Sequence, residues 1–201
     1  MSIPETTTGS AEIIDLAGRK IIRKFPFTGK DLAHVSYAPF DSILLLSDES
    51  SNNTEIRSAA TFQKIKTIPG IFRGEFGKDG SLFITTEAGN SVSYIWNKVN
   101  WSQQMRLNGV IHFSPDGKRV VNNAGEIIDP GSGNVLLTLE KIDDMYSSSD
   151  GEMAGLRIEY PHYSPDGKKI IATLVSSGSG GEFPSVDIWD AATGQQLKKF
   201  D

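Results

Sequence analysis

The sequence predicts an all-β chain built of four-stranded antiparallel sheets repeated in series. Two recurring phrases and one absence predict it. The first phrase is an aromatic residue, a short turn and an apolar run: "YAPFDSILLL" from Tyr37, "FGKDGSLFIT" from Phe76, "FSPDGKRVV" from Phe113 and "YSPDGKKII" from Tyr163. The second alternates with it and is clearest in "PSVDIWDAATGQQLKKF", Pro184 to Phe200. The absence is of any long stretch with apolar residues at i, i+3, i+4 and i+7, while Gly, Pro, Asn, Asp and Ser break the chain at short intervals.

Each phrase has a mechanical reading. Pro-Asp-Gly is turn chemistry: Pro presets φ, Asp bonds back to the backbone, and Gly accepts positive φ. With apolar residues on both sides, the first phrase is strand, tight turn, strand. In the second, Val186 and Ile188 precede a turn over Asp190–Gly194, and Leu197 and Phe200 follow it. Two hairpins in roughly 40 residues make one four-stranded blade of a β-propeller.

The chain divides accordingly. Residues 1–9, "MSIPETTTG", form a polar tail. Residues 10–33 hold only a second phrase, "SAEIIDLAGRKIIRKF", and make a half blade. Blades follow at 34–69, 70–108 and 109–140, with second phrases "TEIRSAATFQKIKTI", "SVSYIWNKVNWSQQMRL" and "GEIIDPGSGNVLLTL". Residues 141–201 make a last blade with long loops. Pro161 falls just before an expected strand, where a missing donor costs little.

These residues resemble WD-repeat propellers. The last repeat carries the resemblance best, with Trp189-Asp190 and Thr193-Gly194; Ile128-Asp129, Trp96-Asn97 and Arg57-Ser58 stand at the Trp-Asp place in earlier repeats. The resemblance runs from Ser10 to Phe200. It implies an interaction scaffold and, in a full ring, about seven blades. The chain supplies about four and a half, so a partial propeller is the favoured reading; an open arc or a small five-bladed ring are the alternatives. WD repeats also carry a Gly-His pair whose His joins a polar network with Ser or Thr, Asp and Trp. No Gly-His pair occurs here, so the blades are expected to lack that full network. "SPDG" recurs in Tol-system propellers and in those of prolyl-oligopeptidase relatives, but the Trp-Asp and Thr-Gly pairs favour the WD-like reading.

Composition narrows the function. The 201 residues suffice for a real core, and the net charge of −5 argues against broad nucleic-acid binding. The basic cluster "GRKIIRK", Gly18–Lys24, reads as a strand with one solvated face. No apolar run reaches the length of a membrane span, so no membrane partner is expected. The first residues lack the basic and apolar regions of a secretory signal, which points to the cytoplasm. With no Cys, disulfides, thiolate metal sites and a Cys nucleophile are excluded.

No catalytic set is legible, and the expectation is no enzyme, no cofactor and no metal site. His34, His112 and His162 lie near aromatic strand residues in different repeats. Equivalent positions in different blades are set apart around a ring, so these His are expected to be structural unless they face a central channel. In "DDMYSSSDGEMAGLRIE", placing Gly151 at the sixth position of a calcium loop puts Tyr146 first and Arg157 last, and neither is a carboxylate. "SSGSGGEF", Ser176–Phe183, lacks the Lys-Ser/Thr of a phosphate loop and reads as a flexible connection. Trp96 and Trp101 flank a turn and read as packing residues.

Length variation points to a binding face. The longest irregular segments are Glu140–Tyr160 and Ser176–Pro184, with Ser47–Asn53 as a third, and the blade topology brings all three out on one side. Candidate partner contacts are Met145, Tyr146, Met153, Glu182, Phe183, Asn52 and Asn53. The function expected is a non-enzymatic scaffold for a protein or peptide, with further blades supplied by a longer chain or a second copy. The alternatives are a propeller accompanying a hydrolase and a periplasmic Tol-type propeller.

Overall fold

A computed structural model describes residues 10–26, 32–38, 43–140, 155–178 and 181–200. All regular structure in these residues is β, in five antiparallel sheets. The first is the hairpin β1 (Ser10–Asp15) and β2 (Lys20–Pro26). Four four-stranded sheets follow, each with its strands side by side in chain order. They are β3 (Leu32–Tyr37), β4 (Ile43–Asp48), β5 (Asn53–Ser58) and β6 (Lys64–Pro69); then β7 (Ile71–Phe76), β8 (Leu82–Thr86), β9 (Val92–Asn97) and β10 (Ser102–Asn108). The fourth sheet is β11 (Ile111–Phe113), β12 (Val120–Asn122), β13 (Glu126–Ile128) and β14 (Val135–Thr138). The fifth is β15 (Gly155–Tyr163), β16 (Lys169–Gly178), β17 (Gly181–Asp190) and β18 (Gln196–Phe200). These are the blades of a β-propeller.

Burial grades across each blade. The middle strands carry the core, as in Leu44–Leu46 of β4, Phe83–Ile84 of β8 and Val92–Trp96 of β9. The fourth strands β6, β10, β14 and β18 are largely exposed. A blade therefore has an inner edge at its first strand and an outer edge at its fourth.

The chain forms two compact units, Met1–Gly74 with Thr85–Asn90, and Glu75–Ile84 with Ser91–Asp201. In the first, Leu44 and Leu46 pack with Ile13, Ala59 and Phe62. Ser47 and Thr54, both fully buried, share a hydrogen bond of 2.8 Å, and each hydroxyl accepts the Phe72 N–H, at 2.9 and 3.0 Å. Thr54 also donates to the Gly70 carbonyl at 2.7 Å. This hydroxyl pair ties β4 and β5 to the start of the next blade, a place for which the sequence offers no network histidine. Satisfying both hydroxyls avoids the roughly 1–3 kcal/mol that each buried, unpaired group would cost.

Among the described residues, the second unit holds two apolar clusters, each between successive sheets. Ile84 and Ile95 meet Ile111, Phe113, Val120 and Ile128. Val121, Ile127 and Leu139 meet Ile158, Ile170, Ala172, Leu174 and Trp189. Trp189 is fully buried, and its indole N–H donates to the Glu140 carbonyl at 2.8 Å. Trp96 is buried beside Tyr94, and Trp101 packs edge-on against Phe83, so both tryptophans are packing residues.

The recurring phrases are turns. In "SPDG" the Ser hydroxyl closes the hairpin: Ser114 donates to Asp116 at 2.7 Å and accepts the Arg119 N–H at 3.0 Å. Ser164 repeats this with Asp166 at 2.6 Å and Lys169 at 3.0 Å. Gly117 and Gly167 take φ of 72° and 70°. In the second phrase, Asp190 Oδ1 accepts the N–H groups of Ala192 and Thr193, both at 2.9 Å. The residue closing that turn is left-handed in all five sheets: Gly194 (75°), Gly133 (76°), Trp101 (56°), Phe62 (62°) and Arg19 (51°).

Three expectations change. Ser176–Pro184 is not an irregular loop: β16 runs to Gly178 and β17 starts at Gly181, with Ser176 opposite Phe183 and Ser177 opposite Glu182. Backbone pairing overrides the Gly/Ser composition. Glu140–Tyr160 is likewise shorter than read, because Gly155–Tyr160 belongs to β15. And β2 does not bury one face, since Ile21 and Ile22 are 48% and 57% exposed.

Candidate functional site

The first strands of three successive sheets each place a polar residue directly before the aromatic of the turn phrase. These residues are Glu75 before Phe76 in β7, His112 before Phe113 in β11, and His162 before Tyr163 in β15. All three belong to the second unit, and they meet. Glu75 Oε2 lies 2.7 Å from His112 Nδ1, and Glu75 Oε1 accepts the Phe113 backbone N–H. The His112 and His162 ring centroids are 3.9 Å apart, tilted by 47°. This corrects the expectation that the histidines stay apart: His112 and His162 converge because they share one register on inner strands. His34, in the first unit, packs edge-on to Phe72, 6.0 Å between centroids.

Three causes shape the cluster. A carboxylate only accepts, so Glu75 takes the proton-bearing Nδ1 of His112 and fixes the orientation of its ring. The shared main-chain bond from Phe113 fixes the carboxylate. For His162, desolvation lowers the imidazole below its ordinary value of 6.5, the neighbouring His112 adds to this, and the Glu75 charge opposes it. The neutral ring is thereby favoured at neutral pH.

A β-bulge at Pro161, which has no N–H for the ladder, precedes His162. The register of β15 on β16 slips between Glu159 and His162, and Tyr160 takes a φ of 53°. A non-Gly residue in that region costs about 1 kcal/mol or more, and bulges re-aim the side chains that follow them. Tyr160 is 65% exposed, so it gains little packing for the strain.

The partner contacts expected from sequence are placed as follows. Met145, Tyr146 and Met153 lie outside the described residues. Glu182 and Phe183 are strand residues of β17. Asn52 closes the β4–β5 turn with φ of 50°, and its side-chain oxygen accepts the Ala88 N–H at 2.8 Å. Asn53 pairs with Pro69 in the β5–β6 ladder. Glu75 was missed by sequence reasoning. Its signal was available: in "EFGKDG" it holds the place that His holds in "HFSPDG" and "HYSPDG".

The longest hairpin is the other distinctive feature. β16 and β17 have ten residues each, against three each in β12 and β13. β18 pairs with β17 over Val186–Trp189, with Val186 opposite Phe200.

No protein-family model matches the chain, and no curated protein matches it. Solved propeller structures do. Hydrazine synthase of Kuenenia stuttgartiensis is 21% identical over 86% of this chain and 50% of its own, with a TM-score of 0.56. KlHsv2, with loop 6CD replaced by a Gly-Ser linker, is 13% identical over 95% of this chain and 60% of its own, at 0.62. The dihydro-heme d1 dehydrogenase NirN, in complex with DHE, is 15% identical over 98% of this chain and 43% of its own, also at 0.62. The chain thus spans about half the length of the structures it resembles, and the likeness is one of fold.

Proposed function

We propose that this chain is a non-enzymatic propeller module that captures a protein or peptide along the β16–β17 hairpin. One observation carries the reading: β16 and β17 run ten residues each, the longest strands among the described residues, and pair to their Gly178–Gly181 end. A long rigid hairpin offers a protein or peptide a surface that the shorter hairpins of the other blades do not. Glu182 and Phe183 fall within this stretch. The WD-like phrasing of the last repeat supports the same reading by analogy of fold.

The test replaces residues 177–182 by Asn-Gly, a two-residue hairpin turn that keeps Ser176 opposite Phe183. A partner is first identified by mass spectrometry on the full chain, then titrated against both forms by calorimetry. Loss of binding in the shortened form, with an unchanged β circular-dichroism spectrum, supports the reading. Equal binding to both forms removes it.

A second reading, a propeller domain serving a catalytic domain, has support from names alone. Two of the similar structures are a synthase and a dehydrogenase, and each is at least twice as long as the stretch matched. The intact mass of the protein isolated from its native source decides this: a much longer polypeptide bearing an enzymatic domain favours it, and a chain of this length excludes it.

A further inference from the structure

We propose that His112 and His162 form a binding site for a late first-row divalent transition ion such as Zn²⁺ or Cu²⁺, with Glu75 as the carboxylate that orients His112. This goes beyond the docking reading and does not depend on it. The two imidazoles lie side by side, 3.9 Å between centroids, on the inner strands of adjacent blades. Glu75 holds His112 through Nδ1 at 2.7 Å and is itself anchored by the Phe113 N–H. A carboxylate behind an imidazole is the outer-shell arrangement that fixes the tautomer and raises the basicity of the free nitrogen.

The distances suit an ion after a small adjustment. Metal–nitrogen bonds of about 2.0–2.1 Å place two cis imidazole centroids roughly 4.5–5 Å apart, so the rings need to part by about 1 Å. Such a shift lies within side-chain rotation, and His162 is exposed. An anion would face the Glu75 carboxylate that holds His112.

The ladder of β15 slips at Pro161, which has no N–H to give it, and resumes at His162 opposite Ile171. Among the described residues no group of three side chains is arranged as a complete first shell. The protein therefore supplies two imidazoles, and water or an added ligand fills the remaining positions. Imidazole pairs suit Cu²⁺, Ni²⁺ and Zn²⁺, with Cu²⁺ held most tightly.

The test titrates the full chain with Zn²⁺ by calorimetry and with Cu²⁺ by electron paramagnetic resonance. The expected result is one equivalent of either ion, with nitrogen hyperfine structure from two imidazoles in the Cu²⁺ spectrum. H112Q and H162Q each weaken binding by about tenfold or more, E75Q weakens it about tenfold, and H34Q leaves it unchanged. The Cu²⁺ spectrum of the unaltered chain carries the test even if a variant fails to fold. Absence of stoichiometric binding, a spectrum without two nitrogen ligands, or binding that survives both H112Q and H162Q overturns the proposal.

Discussion

Glu75 Oε2 lies 2.7 Å from Nδ1 of His112, while its other oxygen accepts the backbone N–H of Phe113. One side chain on β7 thus grips both the main chain and a side chain of β11. E75A leaves a partly buried N–H and an imidazole N–H without their acceptor, a loss of about 1–3 kcal/mol. Urea unfolding should show a lower midpoint. Nitrogen NMR should show His112 losing its preference for the proton on Nδ1. An unchanged midpoint and tautomer would mean that the contact contributes nothing.

The five left-handed turn positions make a matched set for substitution. Arg19 at φ 51° is exposed, whereas Trp101 at 56° packs on Phe83. A non-Gly residue in this conformation costs about 1 kcal/mol. R19G should therefore stabilise the β1–β2 hairpin by about that amount. W101G relieves the same strain but removes a large packed ring, worth about 2–3 kcal/mol, and should destabilise. Opposite signs in thermal unfolding are expected; equal signs would show that the turn conformation does not set the balance.

Acid should weaken the fold through its turn aspartates. A hydrogen bond from Ser114 and the Lys118 N–H hold Asp116 below its ordinary 3.8, and Ser164 and the Lys168 N–H do the same for Asp166. Backbone N–H groups of Thr193 and Ala192 lower Asp190 likewise. For a carboxylate lowered by folding, the stabilisation is complete above the unfolded value and is lost as pH falls through the folded one. The part carried by these carboxylates should thus be flat above about pH 5 and fall below about pH 4, while the lowered His162 imidazole adds a separate loss as pH falls through 6.5. D116N with D166N keeps the accepting oxygens and removes the charges, so its acid decline should be shallower. An unaltered slope would assign the decline to other groups.

The turns were legible in the sequence because their chemistry is local. Asp116, Gly117, Asp166 and Gly167 sit within a few residues of every group they bond, and the phrases fixed the order of the blades. The site was not legible, because His112 and His162 are brought together only by the stacking of one sheet on the next. Glu75 was hidden further by its different chemistry at the shared register. The β16–β17 extension was misread since Ser176–Gly181 looks like a linker by composition, and only the ladder shows that both strands continue. The Ser47–Thr54 pair likewise depends on the β4–β5 register, which residue types alone do not set.

Tyr163 tests the packing between the last two blades. Its ring packs against the core of Ile170, Trp189 and their neighbours, but its hydroxyl is buried without a hydrogen-bond partner among the described residues. Burial pushes the phenol up to about 12, so it stays protonated across the working range. Y163F deletes the unpaired hydroxyl and keeps the ring. Removing a buried group that has no partner recovers its desolvation cost, about 1 kcal/mol or somewhat more. Y163F should therefore unfold at the same or a higher urea concentration, with no change in the pH dependence between 6 and about 10. Y163A, which empties the ring volume, should lose about 3–5 kcal/mol. A clear loss of stability in Y163F would show that the hydroxyl has a partner after all, and its place beside Asp116 and Arg119 would name where to look for it.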